Sequence, residues 1–198
     1  MAELTQRQEE IINKAIKIID QRGIQGLTIK NLAKEIGVTE GAIYRHFENK
    51  RQILTSILTL FQDKMDEFHT SDQLSGKTTF WKISSTLNHF RKLFEANPAI
   101  VSVIFAEEIF QNDNELSEKV AGLIKKNQEF MLSLIKEGKA NGELRGDLGE
   151  QMMVSSILGH FRLIVKMWKM EGFSVSLENS LEELLDYLKA TIFVNLPS

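Results

Sequence analysis

The chain has 198 residues, no cysteine, 42% hydrophobic and 26% charged residues, and a formal net charge of −3. This excludes disulfides, thiolate catalysis and cysteine metal sites, and argues against a disordered chain, a coiled coil or a fold too small to bury a core. Charge is spread unevenly: residues 1–51 hold nine basic against seven acidic residues and the remainder fifteen against twenty, so only the amino-terminal part leans towards a polyanion partner.

Helical periodicity runs almost throughout. Ile11, Ile12, Ala15, Ile18 and Ile19 mark a first helix that stops at Arg22-Gly23. Thr28 can cap a second, with Ile29, Leu32, Ala33 and Ile36 inside and Gly37 as its breaker; Thr39 can cap a third, with Ile43 and Phe47 facing inward. Asn49 precedes Lys50-Arg51-Gln52, a variant of the capping box, and opens a long helix carrying Ile53, Leu54, Ile57, Phe61, Met65 and Phe68. After a pause at 71–77, helices follow over about 79–96, from Pro98 towards Phe110, over about 114–137, and from a capping box at Asp147 and Glu150 to about Glu171. A last helix has Leu177, Leu181, Leu184, Leu185, Leu188 and Ile192 on one stripe. The expectation is an all-α fold of about nine helices, divided as 1–50 and 51–198. No apolar run reaches the roughly 18 residues of a membrane span, and the charged start MAELTQRQEE has no export signal, so no membrane partner and a cytoplasmic location are expected.

The segment GVTEGAIYRHFENK, residues 37–50, is crowded with groups that can face solvent and hydrogen-bond. Two short helices meeting at Gly37 predict a helix-turn-helix, whose second helix presents side chains to a DNA groove while its back packs on the first. Gly41 would let the backbone approach closely, Thr39 supplies a hydroxyl at the helix start, and Ala42 leaves room for a thymine methyl. Tyr44 and Lys50 can reach phosphates, and Arg45 suits guanine. Glu40 either stabilises the helix start or accepts from a cytosine amine, and His46 either contacts phosphate or packs at the turn.

Thr28, Ile29, Leu32, Ala33, Gly37, Val38, Thr39, Gly41, Ala42, Ile43, Tyr44, His46, Phe47, Lys50 and Leu54 together resemble the signature of the tetracycline-repressor (TetR) family of bacterial regulators, over about residues 5–65. The resemblance implies a three-helix DNA-binding unit, a connecting fourth helix, and a larger helical domain that binds a small effector and dimerises. Carried over by position, DNA contacts fall on Thr28, Thr39, Glu40, Gly41, Ala42, Tyr44, Arg45, His46 and Lys50. An effector pocket would draw on the same residue types as the core, with Phe61, Met65, Phe90, Phe94, Phe105, Phe130, His160 and Trp168 as candidates.

Other chemistry finds no support. His46, His69, His89 and His160 lack metal-ligand spacing, and no HExxH, phosphate loop or GxSxG occurs. Glu107 and Glu108, adjacent on a helix, point about 100° apart. His69 reads as a surface residue, and His89 and His160 as hydrogen-bonded core histidines on apolar helices. No cofactor, metal or enzymatic activity is expected. Ser155, Ser156 and Gly159 in mid-helix invite close approach by another helix, so segments 148–171 and 177–194 are expected to form a two-fold four-helix interface; the alternative is that both stripes are core within one subunit. The whole reads as a homodimeric repressor released from a palindromic operator by a small, apolar effector. The alternatives are an activator, a co-repressor-dependent or a ligand-independent regulator of the same fold.

Overall fold

The computed structural model describes residues 4–105 and 113–194, and it answers the helical periodicity with helices wherever a cap and an apolar stripe coincide. The described residues fall into two compact units. One comprises the chain up to Asp63 together with Ala96–Ala121, and the other Lys64–Glu95 with the chain from Gly122 onwards.

In the first unit, α1 (Gln6–Gly26) begins in a capping box between Thr5 and Gln8 and buries Ile11, Ile12, Ala15, Ile18 and Ile19. Its regular course breaks at Gly23, whose φ of 67° lies in the left-handed region, and one further turn follows to Gly26. The hydroxyl of Thr28 accepts from the Asn31 amide at 3.0 Å to start α2 (Ile29–Ile36), which ends in left-handed Gly37. Thr39 likewise accepts from the Ala42 amide at 3.3 Å to start α3 (Glu40–Tyr44). Asn49 Oδ1 accepts from the Gln52 amide at 3.0 Å to open α4 (Lys50–His69), while Gln52 Oε1 accepts from the Glu48 amide at 2.7 Å, one residue before the amide that a reciprocal capping box would use. Pro98 stands at the start of α6 (Pro98–Ile104), which packs along α1. The predicted continuation to Phe110 and the pair Glu107-Glu108 lie outside the described residues.

The second unit contains the end of α4, a 3₁₀ turn at Asp72–Leu74, and most of α5 (Thr79–Ala96). It also contains most of α7 (Asn114–Ala140), with α8 (Glu150–Met170) packed on α9 (Leu177–Ile192). The α9 stripe is buried at Leu177, Leu181, Leu184, Leu188 and Ile192. Two local expectations are corrected. The start of α8 is not a capping box: Gly149 is its N-cap, and Asp147 is held in a two-pronged pair by Arg145, at 3.1 and 2.7 Å, because a guanidinium fork outcompetes a single amide for that carboxylate. Also, α7 continues past Glu137 through Gly138, where a Cβ would stand 2.7 Å from Thr79 Cγ2 and 2.8 Å from Leu144 Cδ1, so glycine permits that close packing. No helix among the described residues is long and apolar enough to cross a membrane.

Candidate nucleic-acid interface and apolar cluster

Ile43 and Phe47 are buried and hold α3 from behind, as Leu32 and Ala33 hold α2. The opposite edge is open. Thr28, Thr39, Glu40, Gly41, Tyr44 and Arg45 are exposed, while Ala42, His46 and Lys50 are half-buried. Both threonine oxygens accept the cap hydrogen bond, which leaves each hydroxyl hydrogen for an outside acceptor. Glu40 occupies the first turn of α3, where the helix dipole favours a carboxylate.

Gly41 is the informative position. Its φ is outside the left-handed region, and a Cβ built there would meet nothing nearer than Thr39 Oγ1 at 3.9 Å. The fold therefore has no internal need for glycine, although glycine inside a helix costs about 1 kcal/mol relative to alanine.

Lys50, expected at phosphate, and its neighbour Arg51 both have partners within the fold. The Lys50 ammonium donates to the Ile24 carbonyl at 2.7 Å, tying α4 to the end of α1, and burial pushes its pKa below the usual lysine range. Two of its N–H groups remain. Arg51 is claimed by Asp113 at 2.8 Å and Glu115 at 2.9 Å. His46 contributes its carbonyl to Gln8 Nε2 at 3.4 Å, which anchors the end of α3. None of these links is visible in the sequence, because each joins residues 26 or more positions apart.

In the second unit, Phe90 and Phe94 of α5 gather with Phe161 of α8, with ring centroids 6.1 to 6.3 Å apart. Phe161 was absent from the predicted pocket residues; its only sequence signal is its place on the stripe of Ile157 and Val165. Trp168 is buried and meets Phe173 edge-on at 4.7 Å. Phe61 and Met65 are buried on α4, and Phe105 caps α6 half-buried. Phe130 is half-buried and stacks on His69 at 3.7 Å.

The histidines depart from expectation. His69 is not at the surface: it lies against Phe130, and its Nε2 is buried without a hydrogen-bond partner among the described residues. His89 stacks on Phe68 at 4.3 Å, and its Nε2 too is buried without a hydrogen-bond partner among the described residues. His160 is exposed rather than core; its Nδ1 meets the Ser156 carbonyl at 2.6 Å, and its ring leans on Tyr187. Periodicity located their helices but misjudged which side of each helix the neighbours would cover.

Burial lowers the His69 pKa to about 4, with nearby Lys126 and His89 acting in the same direction and Asp66 opposing. The fold thus favours neutral imidazole. Its contribution to stability is complete above about pH 6.5 and is lost as pH falls towards 4, because the unfolded chain takes up the proton first. Urea titrations at pH 7 and pH 5 should show His69→Gln losing less stability over that interval than the unaltered chain; equal losses would take His69 out of the titration.

Two short helices meeting at a glycine turn, backed by a buried Ile43 and Phe47 and presenting an open Thr-Gly-Tyr-Arg edge, define a helix-turn-helix regulator of transcription. Residues 11–57 match the family described as bacterial regulatory proteins, tetR family, and residues 58–190 match the YsiA-like protein, C-terminal region. The chain belongs to the tetR family and is a DNA-binding transcriptional regulator. It is 30% identical to the fatty acid metabolism regulator protein of Bacillus subtilis (strain 168) over 184 residues, covering 89% of this chain and 92% of that protein. Among solved structures it resembles the fatty acid degradation regulator FadR from Bacillus halodurans, with a TM-score of 0.79 at 21% identity, covering 94% and 96% of the two chains. It also resembles FadR from Bacillus subtilis in complex with stearoyl-CoA, with a TM-score of 0.73 at 24% identity, covering 91% and 96%.

Proposed function

We propose that this regulator is a homodimeric, non-enzymatic repressor that acts in the cytoplasm, holds a palindromic operator through α3, and is released by a small effector with a long apolar chain. The observation that carries the DNA reading is Gly41, a helical glycine with open space around it on the exposed edge of α3. Thr28, Thr39, Glu40, Ala42, Tyr44, Arg45, His46 and Lys50 surround or support that edge and are assigned to the contact. The bases are read from Thr39 and Arg45; the phosphates are met by Tyr44, His46 and the two free N–H groups of Lys50.

The dimer reading rests on α8, where Met152, Leu163, Met167 and Met170 are exposed, with Tyr187 of α9 also exposed. An apolar set of this kind on one helix marks an association surface. The effector reading rests on the Phe90, Phe94 and Phe161 cluster, with Trp168, Met65 and Phe130 as further apolar candidates in the same unit. Its support as an acyl-chain site comes from the 30% identical B. subtilis regulator of fatty acid metabolism and from the stearoyl-CoA held by a similar fold. Phe61 of α4 and Phe105 after α6 belong to the first unit and remain candidates there.

α4 is one helix from Lys50 to His69, so a shift at Met65 would be carried to Lys50 and alter the spacing of the two recognition helices, which must match grooves about 34 to 36 Å apart. Linkage then requires operator DNA to weaken effector binding by the factor with which effector weakens operator binding, about 5- to 150-fold for a coupling of about 1 to 3 kcal/mol. Stearoyl-CoA affinity measured with and without operator tests this. Equal affinities would sink the release mechanism, and tighter binding on DNA would make the ligand a co-repressor.

A further inference from the structure

We propose a second ligand site, on the face of α5 opposite the aromatic cluster, for a small molecule that joins a planar heteroaromatic ring to a phosphate. A cavity of about 570 Å³ lies between the last turns of α4, the 3₁₀ turn and α5. That volume is within the range that holds small ligands. Its α5 wall is Trp81, Ser85, Asn88, His89 and Lys92, spaced as one face of a helix. Ile83, Leu87, Phe90 and Phe94 occupy the buried side, so the two sites share a helix but not a surface.

The lining divides into a ring platform and an anion end. Trp81 is 38% exposed and offers its indole to the cavity wall, with the Lys77 ammonium 5.4 Å from the ring centroid. Lys64 and Lys92 form the anion end. Neither ammonium has an ion-pair partner among the described residues, and both are near enough to His89 to oppose its protonation. The single carboxylate of the lining, Glu67, leaves it net positive in a chain whose net charge is −3.

Two further groups at this wall are unexplained by the fold. Ser71 Oγ and His89 Nε2 are buried without a hydrogen-bond partner, whereas buried polar groups in folded chains are almost always paired. The two exposed ammoniums of Lys64 and Lys92, set against one carboxylate, suit a doubly charged anion such as a phosphate better than a singly charged carboxylate. The indole supplies stacking for a ring of any substitution. A phosphate ester of a nucleoside combines both demands in one molecule.

Isothermal titration of the full chain with adenosine 5′-monophosphate tests the site without DNA, and since coenzyme A also carries an adenosine phosphate, variants at the cavity wall, away from the aromatic cluster, tie the heat to this site rather than to the effector site. The expected result is one molecule bound per chain with a Kd below about 1 mM, with adenosine and inorganic phosphate each at least about tenfold weaker. Exchanging both cations, Lys64→Gln with Lys92→Gln, should weaken binding by at least about tenfold, and Trp81→Leu by a similar factor, with circular dichroism unchanged because all three side chains lie at the cavity surface. The proposal is overturned if the nucleotide gives no heat at millimolar concentration, if the folded variants bind it as tightly as the parent, or if phosphate alone binds equally well.

Discussion

Gly41→Leu should leave the protein folded and melting within a few degrees of the parent, yet lower operator affinity by at least about a hundredfold, or about 2.7 kcal/mol. The folded state has room: the nearest atom to an added Cβ is Thr39 Oγ1 at 3.9 Å, and the backbone is one that L residues adopt freely. Leucine also has the higher helix propensity, which offsets any small cost of exposing its side chain. The bound state has none, because a branched side chain at this position of α3 would hold the helix away from the base edges and displace Tyr44 and Arg45 with it. In a symmetric dimer each operator meets the obstruction twice. Fluorescence anisotropy on operator DNA and a thermal melt read the two quantities separately. Parental affinity would remove Gly41 from the interface, and a large fall in melting temperature would place it in the core.

The second large effect is expected from Gly159→Arg in α8. A Cβ there meets nothing within 4 Å, so within one chain the substitution is harmless and gains helix propensity. A shallow recess of about 300 Å³ surrounds the position, lined by Met152, Ser155, Ser156, His160 and Leu163, and Met152 and Leu163 are 68% and 57% exposed. If a second copy of α8 closes over this face, the guanidinium is buried without a partner, a change that costs several kcal/mol. Sedimentation should then give a folded species of 22.6 kDa in place of one twice that mass, and operator binding should collapse because a single half-site is a weak ligand. A variant that remains dimeric and binds fully would assign the methionine-rich face to another role.

What the sequence discloses depends on how local the chemistry is. The caps of α2, α3 and α4 were legible because Thr28, Thr39 and Asn49 act on amides three residues away, and Gly37 was legible because only a left-handed residue ends α2 so abruptly. The edge of α3 was legible for a related reason: its residue types are poor choices for a buried helix and good ones for a groove. Features set by distant neighbours were not. Lys50 meets Ile24 across 26 positions, Phe161 joins Phe90 and Phe94 from a different helix, and the surroundings of His69, His89 and His160 follow from which helix packs on which side. Asp147 failed as a cap because Arg145, two residues away, is the stronger partner. The two compact units were also hidden, since α4 and α7 each supply turns to both, and continuous helical periodicity carries no mark where one unit gives way to the other.

We expect α3 to read DNA as one of a two-fold pair. Selection of bound sequences from a pool of random duplexes by the purified protein examines it with no operator sequence assumed. The expected result is a palindrome whose half-sites lie about one helical turn apart, 10 to 10.5 base pairs or a multiple of it, with Gly41→Leu enriching nothing above the starting pool. A single unsymmetrical motif, or the same palindrome recovered by the leucine variant, would contradict it.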